Sequence, residues 1–287
     1  MRRRRRWWAA AVLLACALPA GAATPPPQPR RIASLNLSAD EMLVEMLPPE
    51  RLIAVTRFAD EAGTSNVVGR APAGAYRFAK ADLERLVALA PDLVVVSEYT
   101  DADFLRAIER SRLRYHRLIG LGSPQGVRTA ILALGRAVGA EDRGLTLVAR
   151  YDRVLGELQT RLTGVQRPRV LYWSGGMTAG ADTAIGALIE TAGAVNLGRE
   201  LGVKGIAPPG AERAFAADPD LILVGSWPGA EASVRDHPLL AQTRAVRLGR
   251  ILVMPNALLV ALSQYTADAC WHLAHLLHPE RVPRPRP

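Results

Sequence analysis

The chain has 287 residues, of which 36 are basic and 27 acidic, and its formal net charge is +9 at pH 7. Hydrophobic residues make up 49% of it, which is enough to bury one large core or two smaller ones. The two cysteines, Cys16 and Cys270, are too few for a disulfide framework or a cysteine-type zinc site.

The N-terminus has the three parts of a secretory signal peptide. Five arginines, Arg2–Arg6, precede an apolar stretch over Trp7–Leu18, and small residues follow at Ala20–Ala23. The apolar stretch is too short to span a bilayer, which needs about 20 residues. We therefore predict a signal peptide over residues 1–23, a proline-rich leader over 24–30 and a mature chain in the periplasm.

Cys16 leaves a second interpretation open, because Leu13–Cys16 loosely resembles a bacterial lipoprotein cleavage box. Cleavage there would leave a lipid-anchored protein. The apolar run continues past Cys16, however, and Leu14 fits the box poorly. Lipid anchoring is therefore the second choice.

Removal of the signal peptide changes the charge balance. The five arginines leave with it and no acidic residue does, so 31 basic residues face 27 acidic ones and the net charge becomes +4. Such a small excess, without a basic stripe that alternates with aromatic residues, does not predict nucleic-acid binding.

Strand and helix patterns alternate along the rest of the chain, as in parallel α/β sheets. Arg31–Asn36 is typical of a strand, and Ser38–Glu41 resembles a capping box for a helix through Leu47. Further strands are predicted at Leu52–Thr56, Arg114–Ile119, Arg169–Trp173 and Arg250–Met254. Further helices are predicted at about 101–112, 124–138, 182–192 and 263–277.

An internal repeat divides the chain into halves. Leu83–Val96 and Ala211–Val224 match at an offset of 128 residues without a gap. Each predicts a short helix, a Pro-Asp break and an apolar strand buried on both faces. The repeat predicts two α/β lobes, over 31–139 and 167–287, with a ligand cleft between them.

The segment between the halves, over residues 140–166, predicts one connecting helix. Its apolar residues recur at helical spacing, and it contains no proline. The alternative is one more amphipathic helix within a single sheet domain, but the repeat favours a bridge. The residues at helical spacing are Leu147, Val148, Tyr151, Val154, Leu155, Leu158 and Leu162.

Aromatic residues follow several predicted strands, at the end of the sheet where ligands bind to open parallel sheets. Tyr99 and Trp227 stand after matching strands at the same offset of 128, and Trp173 ends the first strand of the second half. Aromatic side chains on facing lobes suit a large, partly apolar ligand. The alternative is that the tryptophans only close the ends of the core.

Polar residues extend the predicted ligand-binding wall. Asn36 ends the first strand, and Tyr76 and Arg77 lie in a loop with Phe78. Arg77 could face an anionic ligand, because guanidinium binds anionic oxygens such as those of carboxylates; a solvated loop arginine is the alternative. The predicted ligand-binding residues are Asn36, Tyr76, Arg77, Tyr99, Trp173 and Trp227.

Glu84 and Glu212 occupy the same position in the two repeats, in the first turn of a helix. A carboxylate there stabilises the helix dipole, which is sufficient reason for its presence. A helix before a parallel strand also starts at the strand's carboxyl end, so both glutamates should lie on the rim of the cleft. One acid per lobe could pair with basic residues on a symmetric partner.

The ordered set of motifs resembles the cobalamin- and ferric-siderophore-binding proteins of ABC importers. The resemblance covers nearly all of residues 31–280, although no single motif is as specific as a phosphate-binding loop. It is carried by Arg31–Asn36, Arg51–Thr56, the two repeated Glu…Pro-Asp blocks, Pro238–Leu239, Ala245–Arg247, Gly249–Val253 and Leu276–Pro279.

This resemblance implies a monomeric two-lobed receptor with a rigid connecting helix. It implies a ferric siderophore as ligand, with a corrinoid or haem as the alternatives. It also implies that Glu84 and Glu212 dock on arginines of the membrane permease dimer.

Two other classes of protein, a binding protein for a bare metal ion and an exported hydrolase, are less favoured. A bare metal site needs several converging ligands, whereas His116 and His237 are isolated and His272, His275 and His278 span more than one helix face. A hydrolase is disfavoured because Tyr172–Gly176 lacks the first glycine of a nucleophile elbow. We therefore expect no enzyme, no catalytic residue, no resident metal and no cofactor.

Overall fold

The computed structural model describes residues 28–285, so the predicted signal peptide and Cys16 lie outside the described residues. Within that range, no helix combines the length and the hydropathy that crossing a membrane requires. The strands are β1 Ile32–Ser34, β2 Leu52–Thr56, β3 Tyr76–Phe78, β4 Leu93–Ser97, β5 Tyr115–Leu118, β6 Arg169–Tyr172, β7 Thr178–Ala179, β8 Val195–Asn196, β9 Ile206–Ala207, β10 Leu221–Gly225 and β11 Ile251–Met254. The helices are α1 Leu37–Met46, α2 Leu83–Ala88, α3 Ala102–Arg110, α4 Pro124–Ala137, α5 Glu141–Arg161, α6 Ala184–Thr191, α7 Leu197–Glu200, α8 Ala211–Ala216, α9 Ala230–Arg235, α10 Arg244–Arg247, α11 Asn256–Leu259 and α12 Tyr265–Leu277.

The sheet of the N-terminal lobe has the order β3-β2-β1-β4-β5, and all its neighbours pair in parallel. Its strands are apolar on both faces, as is typical of parallel sheets. In β4, Val94 and Val96 pack against α2 and α3, whereas Leu93 and Val95 pack on the side of α1 and α4. The lobe is therefore three layers deep.

The sheet of the C-terminal lobe repeats this plan with the order β11-β10-β6-β8, again all parallel. In β6, Val170 and Tyr172 pack with α6 and α12, whereas Leu171 packs with α8 and α9 on the other face. A small antiparallel pair, β7-β9, lies beside this sheet. The prediction of two parallel-sheet α/β lobes is confirmed.

Two helices contribute to the cores of both lobes. Tyr151, in the first half of α5, is buried in the N-terminal core, and Leu158, two turns later, is buried in the C-terminal core. In α12, Ala267 packs with the N-terminal core, while Leu273 packs with the C-terminal core. The connection between the lobes thus includes α12 as well as the predicted connecting helix.

The internal repeat extends to individual hydrogen bonds. The amide of Arg31 donates to Asp92, and the amide of Arg169 donates to Asp220 at the same distance of 2.9 Å. The two guanidinium groups also each donate a hydrogen bond of 2.7 Å to a helix C-terminus. Arg31 donates to the carbonyl of Leu89 after α2, and Arg169 donates to the carbonyl of Ala217 after α8. These bonds satisfy carbonyls that a helix C-terminus leaves without partners.

The predicted capping box over Ser38–Glu41 is wrong. Asn36 caps α1 instead, and its side-chain oxygen accepts hydrogen bonds from the amides of Ser38 and Ala39. Asn36 is favoured because it has the extended backbone and the short polar side chain of an N-cap. Glu41 is therefore free to make other contacts.

Candidate functional site

Tyr99 and Trp227, two of the predicted wall residues, follow strands at the topological switch points of the two sheets. β1 is followed by α1 on one face of the N-terminal sheet, and its neighbour β4 is followed by α3 on the other. β6 and β10 have the same relationship in the C-terminal lobe, where α6 and α9 lie on opposite faces. A crevice opens between strand ends at such a point, and ligands of open α/β sheets bind there.

Tyr99 is the most exposed of the predicted wall residues, with 65% of its surface accessible. It follows β4 on a loop that is held firmly: Glu98 accepts a hydrogen bond from the amide of Leu121 at 2.7 Å, and Arg117 donates to the carbonyl of Glu98 at 2.9 Å. Partial burial and the nearby Glu98 raise the pKa of the Tyr99 phenol. The ring therefore stays neutral at ordinary pH and offers an apolar face.

Two further apolar side chains at this edge were not predicted. Ile119 follows β5 and is 62% exposed, and Phe58 follows β2 and is 36% exposed. The guanidinium of Arg57 lies 5.0 Å from the centre of the Phe58 ring. Each lies at or just after the end of a predicted strand, as Tyr99 does. The order of the elements in the sequence therefore indicates the same edge of the sheet for both.

The two tryptophans of the C-terminal lobe differ in burial. Trp173 is only 4% exposed and packs inside the core, where its ring meets His237 edge to face at 5.5 Å. Trp227 is half-buried, and its ring folds back over Gly225, where an added Cβ would come within 1.9 Å of it. The ring thus covers the end of β10. Of the two tryptophans, Trp227 alone has a partly exposed ring.

The loop after Trp173 is a tight hairpin turn. Ser174 and Met177 exchange two backbone hydrogen bonds, of 3.0 and 2.9 Å. Gly175 and Gly176 between them have φ angles of 55° and 83°, as a type I′ turn requires. The two glycines thus give this segment a defined conformation.

Asn36, Tyr76 and Arg77 are engaged in structural contacts. Arg77 donates to Asp60 at 2.6 Å and to the carbonyls of Pro72 and Ala75. Tyr76 packs edge to face on Phe78, with the Arg85 guanidinium over its ring, and Asn36 caps α1. The structure does not bring Tyr76 or Arg77 to the switch point, because β3 is the edge strand of the sheet.

A buried polar contact joins the two lobes, and it was not predicted either. Glu41, which is 1% exposed, accepts hydrogen bonds from Asn66 in the N-terminal lobe and from Ser263, just before α12, which packs in both cores. Gln264 donates to the carbonyl of Glu41 at 2.8 Å. Burial raises the pKa of the Glu41 carboxyl, although Ser263 and Asn66 oppose that shift. We call Glu41, Asn66, Ser263 and Gln264 the inter-lobe cluster.

Glu84 and Glu212 are both exposed, in the first turns of α2 and α8. Within residues 28–285, neither carboxylate has an ion-pair partner. The arginine after each one is held within its lobe, Arg85 over Tyr76 and Arg213 by the carbonyl of Leu201. The two carboxylates are therefore available to an external partner.

The histidines serve structural roles where their contacts are defined. His278 is buried and its ring bonds to the carbonyl of Gly193, and His275 bonds to the carbonyl of Val282. No group of three histidine, cysteine or acidic side chains that could hold a metal ion occurs in the described part of the chain. Cys270 is fully buried, and burial raises the pKa of its thiol to about 12.

Comparison with known proteins places this architecture in a family. Residues 32–258 match the family described as "Periplasmic binding protein", which is more than three quarters of the chain. The chain belongs to that family. Its members are binding proteins rather than enzymes, and their name gives the periplasm as their location.

The relatives of this periplasmic binding protein include a cobalamin-binding protein of Halobacterium salinarum. It is 27% identical over 202 residues, which are 69% of this chain and 54% of the relative. The same protein of a second strain of that species matches equally well. The chain thus spans about half the length of the curated relatives it matches.

Solved structures of periplasmic proteins share the fold. The heme-binding protein RhuT from Roseiflexus sp. RS-1 has a TM-score of 0.76 at 22% identity, covering 87% of this chain and 98% of its own. A heme-binding protein from Pseudomonas aeruginosa reaches 0.73 at 24% identity, with 88% and 94% covered. The molybdate-binding protein MolA of Haemophilus influenzae reaches 0.77 at 20% identity, with 90% and 89% covered. At these identities the likeness establishes the fold alone.

Proposed function

We propose that this periplasmic binding protein captures a corrinoid and delivers it to an ABC importer. The observation that carries the proposal is the matched pair of switch points, with Tyr99 after β4 and Trp227 after β10 at one offset of 128 residues. Aromatic faces on two lobes provide the broad apolar contact that a corrin macrocycle needs. The exposed Phe58 and Ile119 add to the N-terminal wall.

A corrinoid is preferred to the ferric siderophore expected from the sequence because of Arg77. The case for an anionic siderophore used Arg77 as its cation, and that guanidinium is neutralised by Asp60 and tied to two carbonyls. A buried or paired cation has little affinity left for a second anion. The cobalamin-binding relative also supports a corrinoid.

The ligand can be identified by absorbance. Purified mature protein is mixed with cyanocobalamin, haemin or a ferric siderophore, freed of unbound ligand by gel filtration, and its spectrum is recorded. A one-to-one complex with cyanocobalamin, formed without turnover, supports the proposal. A complex with haemin or the siderophore alone rejects the corrinoid and keeps the binding role. Consumption of any of the three in repeated turnovers would contradict a binding protein.

Delivery requires a partner in the inner membrane, which we propose to be the permease dimer of the importer. Glu84 and Glu212 supply one exposed carboxylate per lobe, and they match a partner with two related basic sites. Charged groups at the edge of an interface mainly set its association rate and register. In this proposal the mature protein is a periplasmic monomer, because two copies on one permease would compete for the same sites.

A further inference from the structure

The contact between the lobes is built around a single carboxylate. One oxygen of Glu41 accepts hydrogen bonds from the backbone and side-chain nitrogens of Asn66, at 3.0 and 2.8 Å. The other oxygen accepts from the hydroxyl of Ser263, just before α12 and 222 residues along the chain. Leu262 and Ala267 on either side of it pack with the N-terminal core, whereas the later part of α12 packs with the C-terminal core. A shift of α12 away from α1 would remove a donor from a carboxylate that is almost fully buried.

The same contact reaches the loops beside the cleft. The side chain of Asn66, in the loop after β2, also donates to the carbonyl of Ala257 in α11 at 2.9 Å. α11 directly follows β11, so this bond joins strand-end loops from both lobes. Glu41 therefore fixes the position of Asn66, and the side chain of Asn66 contacts the strand-end loop of the other lobe.

A second layer lies one turn further along α1. Glu45 accepts hydrogen bonds from Tyr265 at 2.7 Å and from Gln264 at 3.2 Å, both in the C-terminal lobe. Arg70 donates to the hydroxyl of Tyr265 at 2.7 Å, and Arg150 lies 3.6 Å from Glu45. This layer is more exposed than Glu41, so water screens it more strongly.

Asp40, the residue before Glu41, differs from it in its hydrogen-bond partners. It is equally buried, but its contacts stay within the N-terminal lobe, where it accepts from the amide and hydroxyl of Thr56. Two adjacent carboxylates thus have different tasks. Asp40 ties α1 to the end of β2, and Glu41 ties α1 to the start of α12, the helix that packs in both cores.

We propose that Glu41 is a positioning residue that sets the arrangement of the two lobes, and with it the separation of Tyr99 and Trp227. Because α12 packs in both cores, a buried carboxylate that holds the start of α12 against α1 limits the movement of the lobes, since a shift there leaves the carboxylate without Ser263. The effect on ligand affinity rests on the proposed function. The effect on lobe geometry does not.

The test measures the distance between the lobes in the ligand-free protein. Lys80 and Ala232 are exposed residues of the two lobes, and each is replaced by Cys and spin-labelled for pulsed electron resonance. Cys270 is fully buried and should not react. We expect one narrow distance distribution for the parent protein. Ser263→Ala and Glu41→Ala should broaden it, whereas Glu41→Gln should retain most of it, since the amide can still accept from Asn66 and donate to Ser263.

Thr56→Val is the matched control. It deletes a buried hydroxyl that donates to a carboxylate of α1, as Ser263→Ala does, but that hydroxyl lies at the end of β2 and not beside α12. Both variants should lower the melting temperature, and only Ser263→Ala should change the distance distribution. Unchanged distributions in folded Ser263→Ala and Glu41→Ala would overturn the proposal. If Glu41→Ala does not fold, Ser263→Ala decides the question alone.

The affinity for cyanocobalamin gives the second readout. If Ser263→Ala occupies the parent arrangement only a tenth of the time, its apparent affinity falls about tenfold. A parent protein that does not bind cyanocobalamin disproves the proposed ligand. The distance measurement still decides the role of Glu41 in that case.

Discussion

Ala90 and Asp218 stand 128 residues apart and share a left-handed backbone conformation, with φ angles of 44° and 43°. Each follows the end of a short helix and precedes a proline. A residue before proline is kept out of the right-handed helical region, so the chain leaves the helix at this point and turns into the next strand. The repeat visible in the sequence is therefore also a repeat of an unusual backbone conformation.

Replacement of each residue by glycine should have opposite effects on stability. Ala90→Gly removes the strain of a left-handed alanine and should raise the free energy of unfolding by about 0.5 kcal/mol, after the greater freedom of the unfolded chain is subtracted. Asp218→Gly should lower it by about 1 kcal/mol, because Asp218 also accepts a hydrogen bond from the amide of Arg244 at 2.8 Å. Urea denaturation measures both. A loss of more than 1 kcal/mol for Ala90→Gly would contradict the strain argument.

The proposed ligand wall predicts separate effects for the aromatic residues. Tyr99→Ala with Trp227→Ala should weaken cyanocobalamin binding at least tenfold, or about 1.4 kcal/mol. Trp173→Ala should instead lower stability, by about 3–5 kcal/mol, because it empties a core position. Calorimetric titration and thermal melting distinguish the two effects. Leu248→Ala, an exposed apolar residue far from the strands' carboxyl ends, is the control and should change neither.

The regular elements could be predicted well where the pattern was long or repeated. β2 occupies the predicted residues, α4 differs from its prediction by one residue, and α5 begins one residue after the start of the predicted segment 140–166 and ends five residues before its end. β3 and β8 were missed. They contain three and two residues, too few for a periodic pattern, and they are strands because β2 and β6 pair with them.

The site was less predictable, because its decisive features depend on packing. Tyr99 could be placed at a strand end from the order of elements alone. Nothing in the local sequence distinguishes Trp173, which enters the core, from Trp227, which covers the end of β10. Glu41 matched a capping pattern with Ser38, whereas its real partner, Ser263, is 222 residues away. Contacts between distant segments leave no local signal.

The buried Asp40 predicts a pH-dependent stability. Burial raises the pKa of its carboxyl from 3.8 to about 7, despite hydrogen bonds from Ser34 and Thr56. A pKa that is higher in the folded state means that the contribution to stability is full below pH 4 and is lost as pH rises through about 7. The free energy of unfolding should thus fall between pH 4 and pH 7, by at most about 1.4 kcal/mol per pH unit from this group.

Asp40→Asn tests this contribution, because the amide does not titrate and can still accept from the amide of Thr56. Urea denaturation at pH 5, 6, 7 and 8 should show a flatter dependence for the variant than for the parent protein. Glu41 has a pKa shifted in the same direction, so a weaker slope should remain. Asp103→Asn replaces an exposed carboxylate and should leave the slope unchanged. Equal slopes for Asp40→Asn and the parent protein would assign the pH dependence to other groups.

The last prediction concerns docking to the permease. Glu84 and Glu212 lie in the first turns of the matching helices α2 and α8, and each lobe presents one of them. Replacement of both by Lys should leave cyanocobalamin affinity intact but impair uptake and the binding of detergent-solubilised importer, because like charges across the interface repel. The control variant carries Asp142→Lys and Glu280→Lys, two exposed acids away from the cleft rim, and changes the net charge equally. It should support normal uptake. If the Glu84 and Glu212 variant binds ligand and supports full uptake, the two glutamates only stabilise their helices.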